Sequence, residues 1–142
     1  MTLQELSDRE EMREVLVRYA QSLDRRQFDE LRRVFTPDAQ ATYGANTVDP
    51  GVDNIIDYVG GVANLVATTH FVGETSFRID GDQAETENYA VAYLVDAEKV
   101  RVRGLRYRDH WVRTPDGWRI HKRVHTPDWM FLADSVSPRI SA

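Results

Sequence analysis

The first amphipathic segment of this chain ends in Tyr19-Ala-Gln-Ser-Leu-Asp24-Arg-Arg-Gln-Phe28, where an apolar helix face meets a carboxylate. Apolar residues recur upstream at helical spacing, at Met12, Val15, Leu16, Tyr19, Ala20 and Leu23. Asp24 continues this stripe one helical turn after Ala20, so we expect its side chain to point inward. Because a carboxylate directed at a core is costly unless another group satisfies it, the sequence predicts a partner for Asp24 elsewhere in the chain.

The same periodicity predicts a helix over residues 7–23, with Ser7 or Asp8 as its N-cap and acidic residues in its first turn. A short second helix is expected over residues 28–35, because Pro37 disfavours helical backbone just before it. Asp24 has an alternative role at this corner, as the cap of the second helix.

The next segment is less regular. Residues 36–39 predict a turn, residues 40–44 a short strand and residues 45–50 a surface loop. A third helix is expected from about residue 51, with its apolar residues on one face. It ends near Gly60-Gly61 or continues to Leu65.

From residue 68 the apolar period changes to two, which predicts β-strands. Turn residues divide this half of the chain into hairpins, and the predicted strands are 69–79, 84–95, 100–113 and 118–126. The tail over residues 127–142 shows little regular pattern. Helices followed by long antiparallel strands predict an α+β fold, a cone in which three helices cover a curved sheet and the mouth forms a pocket.

With 142 residues and no cysteine, the chain predicts one domain over residues 1–142, with its core at about 7–126, and no disulfide or Cys-ligated zinc. A net charge of -5 with interleaved signs gives no indication of a nucleic-acid surface. The polar start and the lack of a long apolar run predict a cytoplasmic protein that does not bind membranes. No metal is expected, and no cofactor, since Gly60-Gly61 follows a helix rather than a strand.

Several short motifs occur together over residues 7–125. They are Arg18-Tyr-Ala20, Leu23-Asp24, Leu31-Arg-Arg-Val-Phe-Thr-Pro-Asp38, Thr69-His70, Ile79-Asp-Gly-Asp-Gln-Ala84 and Arg113-Thr-Pro-Asp-Gly-Trp-Arg-Ile120. In this order they resemble the SnoaL-like branch of the cone-shaped superfamily named after the nuclear transport factor. The resemblance implies a mixed, mostly antiparallel sheet and a homodimer or homotrimer. It implies no single chemistry, because the superfamily includes dehydratases, isomerases, cyclases, hydrolases and non-catalytic subunits.

The nearest catalytic pattern is that of the scytalone dehydratase, bile-acid dehydratase and hexachlorocyclohexane dehydrochlorinase group. The resemblance places the catalytic Asp and His of that group at Asp24 and His70, and a tyrosine of the bile-acid enzyme at Tyr19. It places an arginine of the last strand at Arg123, and His110 is a candidate for the second histidine of the scytalone enzyme. The limonene epoxide hydrolase triad is not formed in the obvious place, because Tyr107 stands two residues before Asp109.

An inward Asp24 that holds His70 would make the histidine a general base with a fixed tautomer. Such a pair suits abstraction of a proton next to a carbonyl in a small, largely apolar substrate, such as a polyketide, steroid or aromatic intermediate. Dehydration, isomerisation and cyclisation share this step. The candidates for contacts to the substrate are Tyr19, Arg123, Tyr43, Tyr89, His110 and Trp129.

Other interpretations remain open at this point. The protein could be a non-catalytic small-molecule-binding or assembly subunit in which Asp24 and His70 are structural, or a hydrolase that uses a different carboxylate. The tryptophans suit core or interface packing. His121 and His125 are expected on one strand face beside Arg123. The basic segment over residues 99–108 is most simply a solvated sheet face or a subunit interface, and an anionic ligand such as a coenzyme A thioester is the sharper alternative.

Overall fold

A computed structural model describes residues 1–134 of the chain, so the end of the predicted tail, residues 135–142, lies outside the described residues. In chain order the elements are α1 (Leu3–Asp24), a 3-10 helix (Phe28–Arg33), β1 (Phe35–Tyr43), β2 (Asn46–Val48), α2 (Val52–Val59), a second 3-10 helix (Gly60–Asn64), β3 (Ala67–Asp80), β4 (Gln83–Val95), β5 (Lys99–Thr114) and β6 (Gly117–Asp134). The predicted α+β architecture is confirmed.

Helix α1 begins one turn earlier than predicted. Thr2 is its N-cap, and its hydroxyl and the Glu5 carboxylate form a reciprocal capping box. Asp8 is therefore not a cap; it lies within α1, and its side chain is buried. Its carboxylate accepts hydrogen bonds from Arg113 Nη1 at 2.7 Å and from Trp118 Nε1 at 3.0 Å, which fixes α1 against the sheet.

The predicted turn at residues 36–39 is wrong, because this segment belongs to β1. Strand β1 pairs in parallel with β6, and its hydrogen bonding to that strand determines the backbone conformation more strongly than the local sequence does. Pro37 lies in the irregular part of this ladder, between the pairs Phe35–Ile120 and Gln40–Lys122, where a missing N–H group is tolerated. The predicted loop at residues 45–50 contains the short strand β2, which closes a hairpin with β1.

Within residues 1–134, six strands form one mixed sheet in the order β2-β1-β6-β5-β4-β3, in which only β1 and β6 run parallel. The sheet is curved without closing into a barrel. Register shifts interrupt β3 between Val72 and Thr75, and β6 opposite Gly104-Leu105 and His110-Trp111. Such bulges increase the local twist and bend a sheet, so they give the inner face its concave form.

The predicted irregular tail is also wrong over residues 127–134, since β6 continues to Asp134 opposite the start of β5. In this extension the indole of Trp129 lies on Gly104. A Cβ atom on that glycine would fall 2.1 Å from the indole ring, so only glycine allows the contact. Trp129 is half exposed, while Trp111 and Trp118 are core residues as predicted.

Most buried apolar side chains of residues 1–134 form one core cluster between the helices and the concave face. The convex outer face of the sheet carries the exposed aromatic side chains Phe71, Tyr89, Tyr93, Trp129 and Phe131. None of the helices within residues 1–134 has the length and apolar character needed to cross a membrane.

Candidate active site

A cavity of about 650 Å³ opens where the ends of α1 and α2 face the concave side of the sheet. Its polar lining includes Tyr19, Tyr43, His70, Arg103, Tyr107 and His125, and leucine, valine, alanine and methionine side chains supply most of the remaining wall. Pockets of this kind, mostly apolar with a few convergent polar groups, are the usual sites for small ligands.

Asp24 and His70 are in contact at this cavity. The imidazole Nδ1 of His70 lies 2.7 Å from Asp24 Oδ1, and the backbone N–H of His70 donates to Asp24 Oδ2 at 2.8 Å. Asp24 makes no cap for the following 3-10 helix, whose N-cap residue Gln27 also has no side-chain bond. We refer to the Asp24–His70 pair as the dyad.

The neighbours of the dyad determine which nitrogen of His70 carries the proton. Arg26 can only donate, and its Nη1 donates to Thr68 Oγ1 at 2.7 Å. The Thr68 hydroxyl therefore directs its own hydrogen to Asp24 Oδ1, 3.0 Å away. Since the carboxylate only accepts, Nδ1 of His70 must be the donor, and a neutral His70 has a free lone pair on Nε2.

Arg26, which donates to Thr68, has an unusual backbone conformation. Its φ of 60° lies in the left-handed region, where glycine is the common residue after a helix. The N–H of Gln27 donates to Ser22 O and that of Arg26 to Leu23 O, the pattern of a Schellman motif. The side chain of Arg26 also donates to Leu23 O and Leu65 O, so its ordered position supports the strained backbone.

The environment of Asp24 keeps it ionised. Burial raises the pKa of its carboxyl group, but the hydrogen bonds from the ring and backbone of His70 and from Thr68 together outweigh burial, and the pKa lies below its ordinary value. The pKa lies below its ordinary value although Asp24 ends α1, where the helix dipole disfavours a negative charge. The dyad therefore contains a fixed carboxylate that can stabilise an imidazolium.

Two tyrosines provide hydroxyl groups in the same cavity. The phenol oxygens of Tyr19 and Tyr43 lie 2.8 Å apart, so one of them donates to the other and the second proton is free for a ligand. Burial raises the pKa of Tyr19, and it raises that of Tyr43 well above its ordinary value. Both groups remain neutral donors across the physiological pH range.

Arg123 does not reach the cavity, in contrast to the sequence prediction. It is fully buried behind the wall, where Nε and Nη2 donate to the two oxygens of Asp109 at 2.7 and 2.8 Å. The guanidinium lies 4.3 Å from the ring centre of Tyr19 and 4.0 Å from that of Tyr107. Arg123 therefore supports the tyrosines from behind through cation–π contacts.

His125 is a second histidine on the cavity wall, packed between the rings of Tyr43 and Tyr107. Burial lowers the pKa of His125 to about 4, and the positive charges of Arg103 and Arg123 lower it further in the same direction. Its imidazole is consequently neutral at neutral pH, and its buried Nδ1 has no hydrogen-bond partner within residues 1–134.

This burial predicts a pH dependence of stability. The folded pKa of about 4 lies below the unfolded value near 6.5, so between these pH values the unfolded chain binds more protons. The free energy of unfolding should therefore fall as the pH drops from 6.5 to 4, by about 2–3 kcal/mol from this group. In urea denaturation, the free energy of unfolding of His125→Gln should depend less on pH than that of the wild type.

The matched control for this measurement is His110→Gln, because His110 is half exposed on the outer face. Its denaturation curves should keep the wild-type pH dependence. An equal slope in wild type and His125→Gln would contradict the prediction.

The other predicted contacts lie away from the cavity. Tyr89, His110 and Trp129 pair across the ladder with Arg106, Lys122 and Gly104, and all of these positions are on the outer face. His110 lines a separate open groove of about 800 Å³ together with His121. The prediction that His121 shares a strand face with Arg123 and His125 is wrong, because the register shift of β6 at this point turns His121 away from that face.

Sequence reasoning missed Thr68, Arg26 and Arg103. Thr68 could have been found, because it precedes His70 by two residues and so shares its face of the strand. Arg103 also had a signal: the charged residues of segment 99–108 change from odd to even positions between Arg103 and Arg106, so they cannot occupy one solvated face. Arg26 had no local signal, because its contacts depend on the packing of α1 against β3.

Fold and cavity together define an α+β protein with a concave cavity of small-molecule size, whose wall carries a histidine paired with an aspartate. Comparison with known proteins assigns the family: residues 4–124 match the SnoaL-like domain, and the chain belongs to that family. The resemblance inferred from the sequence motifs is confirmed. Uncharacterised proteins of Mycobacterium tuberculosis H37Rv and Mycobacterium bovis are 40% identical to it over 131 residues, which cover 89% of each chain.

Solved structures show the same fold. A scytalone dehydratase-like protein of Novosphingobium aromaticivorans superimposes with a TM-score of 0.84 at 17% identity, over 99% of this chain and 100% of the other. The type-3 hexachlorocyclohexane dehydrochlorinase of Novosphingobium barchaimii gives a TM-score of 0.81 at 18% identity, over 92% and 93% of the two chains. At these identities the similarity establishes the fold and leaves the activity to the site residues.

Proposed function

We propose that this protein is a cofactor-independent lyase or isomerase that removes a proton next to a carbonyl group in a small, largely apolar substrate. The observation that carries this proposal is the dyad, in which Asp24 accepts from Nδ1 of His70 at the wall of the cavity. A histidine held in this way has its basic Nε2 available to a ligand, with a carboxylate behind it to stabilise the charge that proton transfer creates.

In the proposed reaction Nε2 of His70 takes the proton from the carbon next to the carbonyl. The C–H bonding electrons move into the carbon–carbon bond, and the carbonyl oxygen becomes an enolate. Asp24 stabilises the imidazolium. A hydrogen bond from the Tyr19–Tyr43 pair stabilises the enolate oxygen, since both phenols keep their protons.

The fate of the enolate decides the reaction type. If the substrate has a leaving group on the next carbon, collapse of the enolate expels it, and the imidazolium can protonate a departing hydroxide as water. If it has no leaving group, return of the proton from His70 to another carbon gives an isomer. The dyad and the tyrosine pair would serve both outcomes, and the similarity in fold to a dehydratase-like protein and a dehydrochlorinase is in line with elimination.

A hydrolase with a different carboxylate is less well supported. Among the described residues that line this cavity there is no Asp or Glu, and Asp24 is connected to it through His70. Asp109 is fully buried and bound to Arg123, and Asp8 is bound to Arg113 and Trp118 outside the cavity. Neither carboxylate could attack a substrate or activate water there.

Hydrogen exchange at an enolisable carbon tests the proposal. Incubation of 2-tetralone in D₂O with the wild-type protein should incorporate deuterium next to the carbonyl faster than buffer does, as followed by proton NMR. Tyr43→Phe should slow the exchange about tenfold, because one donor of the pair is lost. A protein-dependent exchange rate that is unchanged in His70→Gln would overturn the role of the dyad, and a cavity that binds the ketone without exchange would favour a binding subunit.

A further inference from the structure

Two arginines lie on the concave face of β5 and line the cavity that contains His70. Arg103 is half-buried, and Arg101 lies farther out and is exposed. Neither side chain has a hydrogen bond or an ion pair to any residue of the described segment 1–134, in contrast to Arg106 and Arg108, which pair with acids on the outer face. The cavity therefore presents to a ligand two positive charges that have no direct hydrogen bond or ion pair within residues 1–134.

The strand register places Arg103 close to the dyad. His70, Ala92, Arg103 and Met130 are partners in one row across β3, β4, β5 and β6. Neighbouring strands lie about 4.8 Å apart, so the Cα atoms of His70 and Arg103 are separated by about 10 Å. Between them stands Ala92, whose small side chain leaves that space to the cavity. A ligand a few carbon atoms long could contact both residues.

The electrostatic neighbourhood distinguishes the two arginines. Asp96 receives backbone hydrogen bonds from Lys99 and Glu98 and also interacts with Arg101, so part of the outer charge is balanced. Arg103 instead acts on His125, where its charge adds to burial in disfavouring protonation. Arg103 thus faces a neutral imidazole and apolar side chains, and a half-buried cation of this kind gains more from an anionic ligand than an exposed one does.

We propose that Arg103, with Arg101 at the outer edge, binds a carboxylate group of the substrate. The substrate class would then be small carbonyl compounds that carry a carboxylate a few bonds from the carbon that loses its proton. That the bound compound is a substrate rests on the function proposed above, whereas binding of the anion by Arg103 does not. The guanidinium donates two parallel hydrogen bonds to the carboxylate, while the rest of the ligand lies against the apolar wall.

Paired ligands that differ only in charge test this assignment. The probes are 2-naphthoate and its neutral amide 2-naphthamide, measured by isothermal titration calorimetry with the wild-type protein at 20 mM and 300 mM NaCl. At low salt the carboxylate should bind at least about tenfold more tightly than the amide, and added salt should reduce this ratio. Arg103→Gln should bring the two affinities within about threefold of each other.

The matched control is Arg108→Gln on the outer face of the same strand, which should keep the wild-type preference. Equal affinities of the two probes in the wild type, or an unchanged preference in Arg103→Gln, would overturn the proposal. Adenosine 3′,5′-bisphosphate distinguishes a substrate carboxylate from the phosphates of a carrier such as coenzyme A. If it binds the wild type more tightly than 2-naphthoate does, and Arg103→Gln removes this advantage, the anion site belongs to a phosphate and the carboxylate assignment is wrong.

The outcome is separable from that of the proposed function. His70→Gln should keep the preference for 2-naphthoate, because the anion contact does not involve the dyad. If the preference is absent while exchange into 2-tetralone depends on His70, only the anion assignment fails. If the preference is present and exchange is not observed, only the proposed reaction fails.

Discussion

His70→Gln is expected to reduce deuterium exchange into 2-tetralone by about 10²–10⁴-fold, the usual contribution of a positioned general base. The glutamine amide can still accept or donate hydrogen bonds at the cavity wall, but it has no nitrogen that takes a proton near neutral pH. The fold should remain intact, since His70 lies at the cavity and makes its other bond through its backbone N–H. Exchange rates by proton NMR and thermal unfolding by circular dichroism measure the two effects.

Asp24→Asn tests how the dyad works. An asparagine at this position has one acceptor oxygen where the carboxylate has two, so its NH₂ group must face one of the donors that surround Asp24. The arrangement favours a His70 that accepts at Nδ1 and carries its proton on Nε2, where it cannot act as a base. We expect exchange to fall by about 10³-fold.

Nitrogen-15 chemical shifts of the His70 ring separate this explanation from a general disturbance. The wild type should show a protonated Nδ1 and the variant a protonated Nε2. His110→Gln is the control for both measurements, because that histidine lies on the outer face. Exchange at the wild-type rate in either dyad variant would contradict the proposed mechanism.

Arg123→Met is expected to lower the free energy of unfolding by about 3–5 kcal/mol, because it leaves the fully buried Asp109 carboxylate without its cation. For a chain of this length, the loss corresponds to a decrease in melting temperature of roughly 10–15 °C. Part of it comes from the lost contacts of the guanidinium with the rings of Tyr19 and Tyr107. Chemical denaturation gives the free energy directly.

A double variant distinguishes an unpaired charge from lost packing. Arg123→Met combined with Asp109→Leu removes both charges, so it should be more stable than the sum of the two single variants predicts. Arg108→Met, which breaks the surface pair with Glu87, should cost at most about 1 kcal/mol. A loss of this small size in Arg123→Met, or simple additivity in the double variant, would contradict the prediction.

The pairing of Asp24 with His70 shows how far sequence patterns carry a site. Helical periodicity directed Asp24 inward, and the family resemblance indicated His70 as its partner. The structure brings the two side chains within hydrogen-bond distance. The network behind them was not predictable, because Arg26 and Thr68 meet only after α1 has packed against β3.

Arg123 shows the opposite case. The family resemblance placed it among the site residues, and period-two alternation is consistent with a place on the inner face of β6. Inner-face residues at the cavity and behind it follow the same alternation, so no sequence pattern separates them. Its buried position behind the cavity wall was decided by Asp109 on β5, whose carboxylate holds the guanidinium behind Tyr19 and Tyr107.

The sequence by itself determined the order of the helices and the long strands β3 to β6, the α+β class, the family and the inward carboxylate at Asp24, because these depend on periodicity, turn residues and short motifs. Tertiary structure decided the rest. Parallel pairing with β6 made a strand of residues 36–39, and the bulges of β6 turned His121 away from the face of His125. Strand register then set Arg103 in the row of His70, since residues far apart in the chain become neighbours only through the pairing of their strands.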